Sequence, residues 1–164
     1  MKSLNNFIAG SSTPSQSGAT SEIINPSTGT AYATAQLSGG ADVDQALNAA
    51  AAAFVEWRET TPAERQRALL KIADALESRA DEIVAIESEN TGKPIGLTMS
   101  EEMPPMIDEI RFFAGAARHL EGKSAGEYMR GMTSFIRREP IGVCAQVTPW
   151  NYPCLLYTSD AADE

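Results

Sequence analysis

Along the middle of the chain, apolar residues return every three or four positions, whereas towards both ends the pattern shortens to runs of partial alternation. Val43, Ala46, Leu47, Ala50, Phe54 and Trp57 fall on one stripe, and Asp42, just past the Gly39-Gly40 break, is placed to cap a helix that carries it. Such a face needs a partner surface. Thr61-Pro62-Ala63-Glu64 combines an N-cap hydroxyl, a proline at the first helical position and a glutamate placed to reach back to the cap. Leu69, Ile72, Ala73 and Leu76 continue that helix on one face. A third helix is predicted over 81–89, stopping near Thr91-Gly92 because Pro94 disfavours helical geometry at Lys93. Met106, Ile107, Ile110, Phe113 and Ala117 predict a last helix over about 107–120, with an irregular or helical lead-in from Leu97. Pro104-Pro105 either start its second half or kink it.

The flanks read as β-structure. Short strands are predicted near Phe7-Ile8, at Glu22-Ile23-Ile24 and over 31–37, separated by a mobile Gly/Ser/Thr-rich turn region at 9–21 and by the turn Asn25-Pro26-Ser27-Thr28-Gly29. Segments 133–137 and 141–147, on either side of Glu139-Pro140, are predicted as two further strands. Cys144 then sits mid-strand as a small hydrophobe, and His119, which has no companion histidine, decorates a helix.

Composition narrows the function classes. With 164 residues, 43% of them hydrophobic, the chain has enough apolar content for a core. Its 13 Lys+Arg against 22 Asp+Glu leave a net charge of -9, a field that repels nucleic-acid phosphates and anionic membrane surfaces. No segment approaches the roughly 20 apolar residues that span a bilayer, and Met1-Lys2-Ser3-Leu4-Asn5-Asn6-Phe7 does not open a secretory signal. Cys144 and Cys154 are too sparse for a disulfide framework or a zinc site, so no metal is expected and a reducing cytoplasm fits best.

The common dinucleotide fingerprint, phosphate loop and zinc-protease motif are absent from the sequence. The informative stretch is Glu139-Pro140-Ile141-Gly142-Val143-Cys144-Ala145-Gln146-Val147-Thr148-Pro149-Trp150-Asn151-Tyr152-Pro153, where a strand feeds a turn able to present an amide and two rings. It closely resembles the aldehyde dehydrogenase motif E-P-x-G-V-x-x-x-I-x-P-W-N-[FY]-P. Ile24-Asn25-Pro26-Ser27-Thr28-Gly29, Arg65 with its amphipathic helix, and Glu87-Ser88-Glu89-Asn90-Thr91-Gly92-Lys93-Pro94 support the resemblance, in order and at family-like spacing, across 22–153.

The resemblance implies an α/β fold: 1–132 as the helix-rich N-terminal part of a Rossmann-like NAD(P)-binding domain, 133–147 as the first strands of an oligomerisation β-arm, and 148–153 as the return towards the cofactor domain. It implies that the Asn151 amide is the catalytic donor to the substrate oxygen as charge develops there. Thr148, Pro149, Trp150 and Asn151 would line the cofactor, NAD or NADP. Tyr152 would face the substrate entrance, where a ring face attracts a cationic aldehyde. Segment 101–118 looks most like the aminobutyraldehyde dehydrogenases, which puts Glu102 near the amine end of the channel, beside the reading of a solvated helical charge. Betaine aldehyde is the alternative substrate. In such enzymes a cysteine thiolate attacks the aldehyde, hydride passes to the nicotinamide, and a glutamate-activated water releases the acid. Neither cysteine here matches that nucleophile, and the resemblance places it and the glutamate beyond Pro153, so the chain as written is expected to be inactive. The intact parent is expected to be a homo-oligomer acting on a small aldehyde, without nucleic-acid or membrane partners.

From Cys154 to Glu164 the sequence has neither an amphipathic period nor a closing element. It can be encoded by a DNA string that resembles the transposon-end adapter used in preparing sequencing libraries, so 154–164 are expected to be translated adapter. Two other readings of the chain stay open: a non-catalytic helical binding module and an inert product.

Overall fold

The structure, a computed structural model, describes residues 1–124, 126–127, 129–149 and 151. Trp150, Tyr152 and the suspected tail lie outside the described residues.

The N-terminal flank holds more strand than its sequence announces. β1 (Lys2–Leu4) runs parallel to β5 (Thr30–Gln36), which pairs antiparallel with β4 (Thr20–Asn25), giving a mixed sheet in the order β1-β5-β4. β2 (Asn6–Ile8) and β3 (Ser11–Thr13) form a separate hairpin, with Asn6 opposite Thr13 and Ile8 opposite Ser11. The turn region expected at 9–21 therefore contains a strand. Serines and threonines of low apolar content mask it, yet the two-residue Ala9-Gly10 turn, with φ of 52° and 78°, closes the hairpin. Between β4 and β5, the Asn25 side chain accepts from the Ser27 N–H at 2.8 Å, which tightens the predicted turn.

α1 (Gly40–Trp57) begins two residues before its expected cap. Gly39 is the N-cap, and Asp42 is the third helical residue, reaching back so that its carboxylate accepts from the Gly39 N–H at 2.9 Å. The same carboxylate accepts from the Gln16 N–H at 2.8 Å and the Ser15 hydroxyl at 2.9 Å, fastening the β3–β4 loop to the start of the helix. These donors, Gln16 first and then Gly39, hold the Asp42 carboxyl below its ordinary pKa against the opposing effect of burial.

α2 (Pro62–Ser78) starts as its sequence predicts. The Thr61 hydroxyl accepts from the Glu64 N–H at 3.3 Å, and the Glu64 carboxylate accepts from the Thr61 N–H at 2.7 Å. α3 (Ala80–Thr91) ends on Gly92 at φ 77°, where the left-handed conformation closes the helix. α4 (Ile95–Leu97) passes through a wide π-helical turn, Thr98–Glu102, into α5 (Met103–Ala116). Pro104 and Pro105 thus sit in the first turn of α5, which begins four residues earlier than the expected helix and ends at Ala116, leaving His119 exposed beyond it. The two prolines have no N–H for carbonyls one turn back and crowd that turn. The chain widens just ahead of them, where the Met103 N–H donates five residues back to the Thr98 carbonyl.

The core lies between α2, α3 and α5. Ala73, Val84, Met103, Met106, Ile107 and Ile110 are buried in one cluster, with Leu69, Leu76 and Ile83 packed against it. Arg111 of α5 adds ion pairs to Asp74 and Glu77 of α2 at the rim.

The second flank is poorer in strand than predicted. β6 (Lys123–Ser124) pairs with β7 (Phe135–Ile136), and no strand occurs among 141–147. Strand conformation is held by a ladder with a neighbouring strand, and no such ladder is formed at 141–147 among the described residues. Cys144 is accordingly exposed instead of packed mid-strand.

Candidate functional site

Residues 137–149 run on from β7 without regular secondary structure, anchored where Arg138 donates to the Glu121 carbonyl at 3.2 Å. Ile141, Val143 and Val147 are exposed, Val147 at 96%. At its end Thr148 is half-buried, Pro149 is exposed, and Asn151 lies exposed in a turn. The Thr148 hydroxyl and Asn151 amide are neutral hydrogen-bonding groups, and residues 140–151 contain no cationic side chain. That set suits an aldehyde oxygen, a carboxamide or a sugar hydroxyl. It does not suit a pyrophosphate, which calls for backbone N–H cradles or cations.

Glu102 is in a different setting. It closes the π-helical turn, and its Oε2 accepts from the Lys93 ammonium at 2.8 Å, while Glu87 Oε1 lies 3.3 Å from the same nitrogen. The Glu87 side chain is only 4% exposed, and those of Lys93 and Glu102 are about one-fifth exposed, at 21% and 20%. Burial pulls the Lys93 pKa down, but the hydrogen bonds to Glu102 and then Glu87 outweigh it and leave the ammonium more firmly protonated than usual. Two carboxylates around one ammonium leave this cluster with a formal charge of -1. The described contacts do not join Glu102 to Thr148, Pro149 or Asn151.

Sequence reading alone overlooks Glu87 and Lys93 as a charged pair. A signal was present: Ala80, Ile83, Val84 and Glu87 share the inward stripe of α3, and a carboxylate on a buried stripe requires a partner. Lys93 reaches it because Gly92 reverses the chain at the end of α3. The turn is confined on its other side, since a Cβ at Gly92 would sit 3.1 Å from Pro26 Cγ. The family-like segments 24–29 and 87–94 thereby meet in space, and Asn90 also donates to the Tyr32 hydroxyl at 3.0 Å.

Comparison with known proteins gives the setting for this arrangement. The sequence model of the aldehyde dehydrogenase family matches residues 13–163. The chain belongs to the aldehyde dehydrogenase family. The aldehyde dehydrogenase-like DhaS of Bacillus subtilis is 38% identical over 155 residues, which are 92% of this chain and 30% of that protein. Betaine aldehyde dehydrogenase of Staphylococcus aureus, solved with NAD+, superposes with a TM-score of 0.91 at 28% identity over 97% of this chain and 32% of its own. PnpE in complex with nicotinamide adenine dinucleotide gives 0.90 at 35% identity over 94% and 32%. The chain has the α/β aldehyde dehydrogenase fold and spans about 30% of the length of the curated relatives it matches. Among the described residues no acidic, histidine or cysteine cluster is arranged to hold a metal ion, and no helix is long and apolar enough to cross a membrane.

Proposed function

We propose that this chain is the N-terminal part of the cofactor domain of an NAD-dependent aldehyde dehydrogenase, whose intact form oxidises 4-aminobutyraldehyde to the carboxylic acid. The observation that carries the reading is the stretch 139–153, which ends in Thr-Pro-Trp-Asn-Tyr-Pro within a family match over 13–163. In this reading 1–132 belong to the cofactor domain, 133–147 to a β-arm used in homo-oligomerisation, 148–153 to the return, and 154–164 to translated adapter. The enzyme would work in the cytoplasm.

The Asn151 amide donates to the aldehyde oxygen as it gains negative charge, a role open to it because the residue lies exposed in a turn. Thr148, Pro149 and Trp150 line the nicotinamide end of NAD, which when bound supplies the hydride acceptor. The neutral donors fit that end, and the pyrophosphate falls to residues outside 140–151. Tyr152 stacks on the cationic end of the substrate. Glu102 attracts the substrate ammonium through the net negative charge of the cluster it shares with Glu87 and Lys93. The 164-residue chain alone does not turn over aldehyde. NAD+ in the related structures supports NAD in preference to NADP. Betaine aldehyde is the second reading, favoured by the likeness to the Staphylococcus aureus enzyme.

The test is to recover the full coding sequence from its source DNA, express it and record NAD reduction with 4-aminobutyraldehyde, betaine aldehyde and a neutral aldehyde of similar length. Preferred turnover of 4-aminobutyraldehyde is the expected result. A protein that reduces NAD with none of them would overturn the proposal. Glu102→Gln in that protein is expected to raise KM for the cationic aldehydes alone, and an equal rise for the neutral one would remove Glu102 from the site.

A further inference from the structure

The two carboxylates that share the Lys93 ammonium are unequally placed towards solvent. The side chains of Glu102 and Lys93 are 20% and 21% exposed, that of Glu87 only 4%. A cation arriving from outside can therefore reach Glu102 but not Glu87. Glu102 is already engaged, since its Oε2 accepts from Lys93 at 2.8 Å. The backbone of Lys93 is pinned on both sides: its N–H donates to the Thr91 hydroxyl at 3.3 Å, and its carbonyl accepts from the Ser88 hydroxyl at 2.7 Å. Movement is thus left to the side chain, and Glu87 Oε1 lies within 3.3 Å of its ammonium, deeper in the fold.

Two carboxylates and one ammonium leave one negative charge uncompensated, and a second ammonium would balance it. We propose that Lys93 is a built-in competitor for the substrate ammonium: it holds Glu102 until substrate binds, then withdraws to Glu87, its reserve acceptor. The inference rests on the reading of Glu102 as the group that attracts a cationic aldehyde. It adds that affinity for the cation is set by two positioning residues, Lys93 and Glu87, that do not touch it. After the exchange each carboxylate keeps a cation of its own, so the buried Glu87 is never stranded. A neutral aldehyde calls for no exchange and is indifferent to both residues.

The experiment measures KM and kcat of the full-length parent with 4-aminobutyraldehyde and with a neutral aldehyde of similar length. Glu87→Gln removes the charge of the reserve acceptor and leaves Lys93 held by Glu102, so KM for 4-aminobutyraldehyde is expected to rise about three- to ten-fold. Combining Glu87→Gln with Lys93→Met removes the competitor without leaving a buried carboxylate unpaired, and the same KM is expected to fall below wild type by about three-fold or more. Both variants should keep the wild-type kcat and the wild-type KM for the neutral aldehyde. A purely structural cluster would instead move the constants of both aldehydes together. If the KM for 4-aminobutyraldehyde stays put or moves against its expected direction in either variant, while Glu102→Gln still raises it, the exchange is overturned and the reading of Glu102 stands. If Glu102→Gln has no selective effect, both are overturned. Should circular dichroism show the double variant unfolded, Glu87→Gln decides alone.

Discussion

α1 and α5 carry similar apolar stripes and meet different fates. α5 buries Met103, Met106, Ile107, Ile110 and Ala114 against α2 and α3, whereas α1 buries only Asp42 and is tied down mainly at its first turn. An amphipathic pattern announces that a helix has an inward side. It does not announce which part of the polypeptide supplies the inside. α5 finds its partners within forty-odd residues of sequence, beginning at Pro62. α1 leans on a three-residue strand and a loop.

The contrast is sharpest in the cost of removing side chains. Ile110→Ala is expected to destabilise the chain by about 2–5 kcal/mol, because it opens a cavity in a closed core. Leu47→Ala is expected to cost about 0.5 kcal/mol, as for a surface position. Urea unfolding of the two variants measures both, and equal costs would mean that α1 is packed as well as α5. Next in size is Lys93→Met, which removes the ammonium beside the buried Glu87 carboxylate, at about 2–3 kcal/mol. Adding Glu87→Gln should recover part of that loss, and no recovery would mean that Lys93 acts by packing alone. Because the Lys93 pKa is raised on folding, its contribution is fully present at neutral pH and fades only as pH climbs through and beyond the ordinary lysine range near ~10.4.

A smaller, opposite effect is expected in the β2–β3 hairpin. Ala9 holds φ 52° in a two-residue turn that favours Asn-Gly, so Ala9→Asn should stabilise by about 0.5–1 kcal/mol, read as a rise in thermal midpoint. A fall would mean that the turn is not the limiting strain. At the cap of α1 the expected effect is a change of pH dependence. Asp42 has a lowered folded pKa, so its contribution is present above its unfolded value near ~4 and is lost as pH falls through the folded one. The stability difference between wild type and Asp42→Asn should be flat from neutral pH down to about 5 and shrink below about 4. A difference that persists unchanged into acid would show that the carboxylate charge is not what fastens the loop.

How far the sequence reveals these features depends on how local their causes are. Thr61-Pro62-Ala63-Glu64 is a self-contained cap, and it forms as written. Gly92 and Pro94 stop α3 for reasons carried by two residues. Asp42 is mistaken for the cap because the true N-cap, Gly39, has no side chain to announce it, and the carboxylate works backwards from the third helical position. β1 escapes notice because three exposed residues carry no period, and its partner β5 lies about thirty positions away. Segment 141–147 errs the other way, with strand-like residues and no strand ladder among the described residues. For the site, the motif around Asn151 is legible as a run of residues. The Glu87, Lys93 and Glu102 cluster is tertiary and emerges only when Gly92 turns the chain back on itself.

Amide hydrogen exchange of the 164-residue chain at neutral pH tests most directly the claim that one part of this fold is closed and another is open. Amides of α2 and α5 around Ala73, Met106 and Ile110 should exchange only by global unfolding, while those of α1 from Ala46 to Val55 exchange by local opening and much faster. Protection of α1 equal to that of α5 would contradict the account, because it would mean that this helix already has its wall.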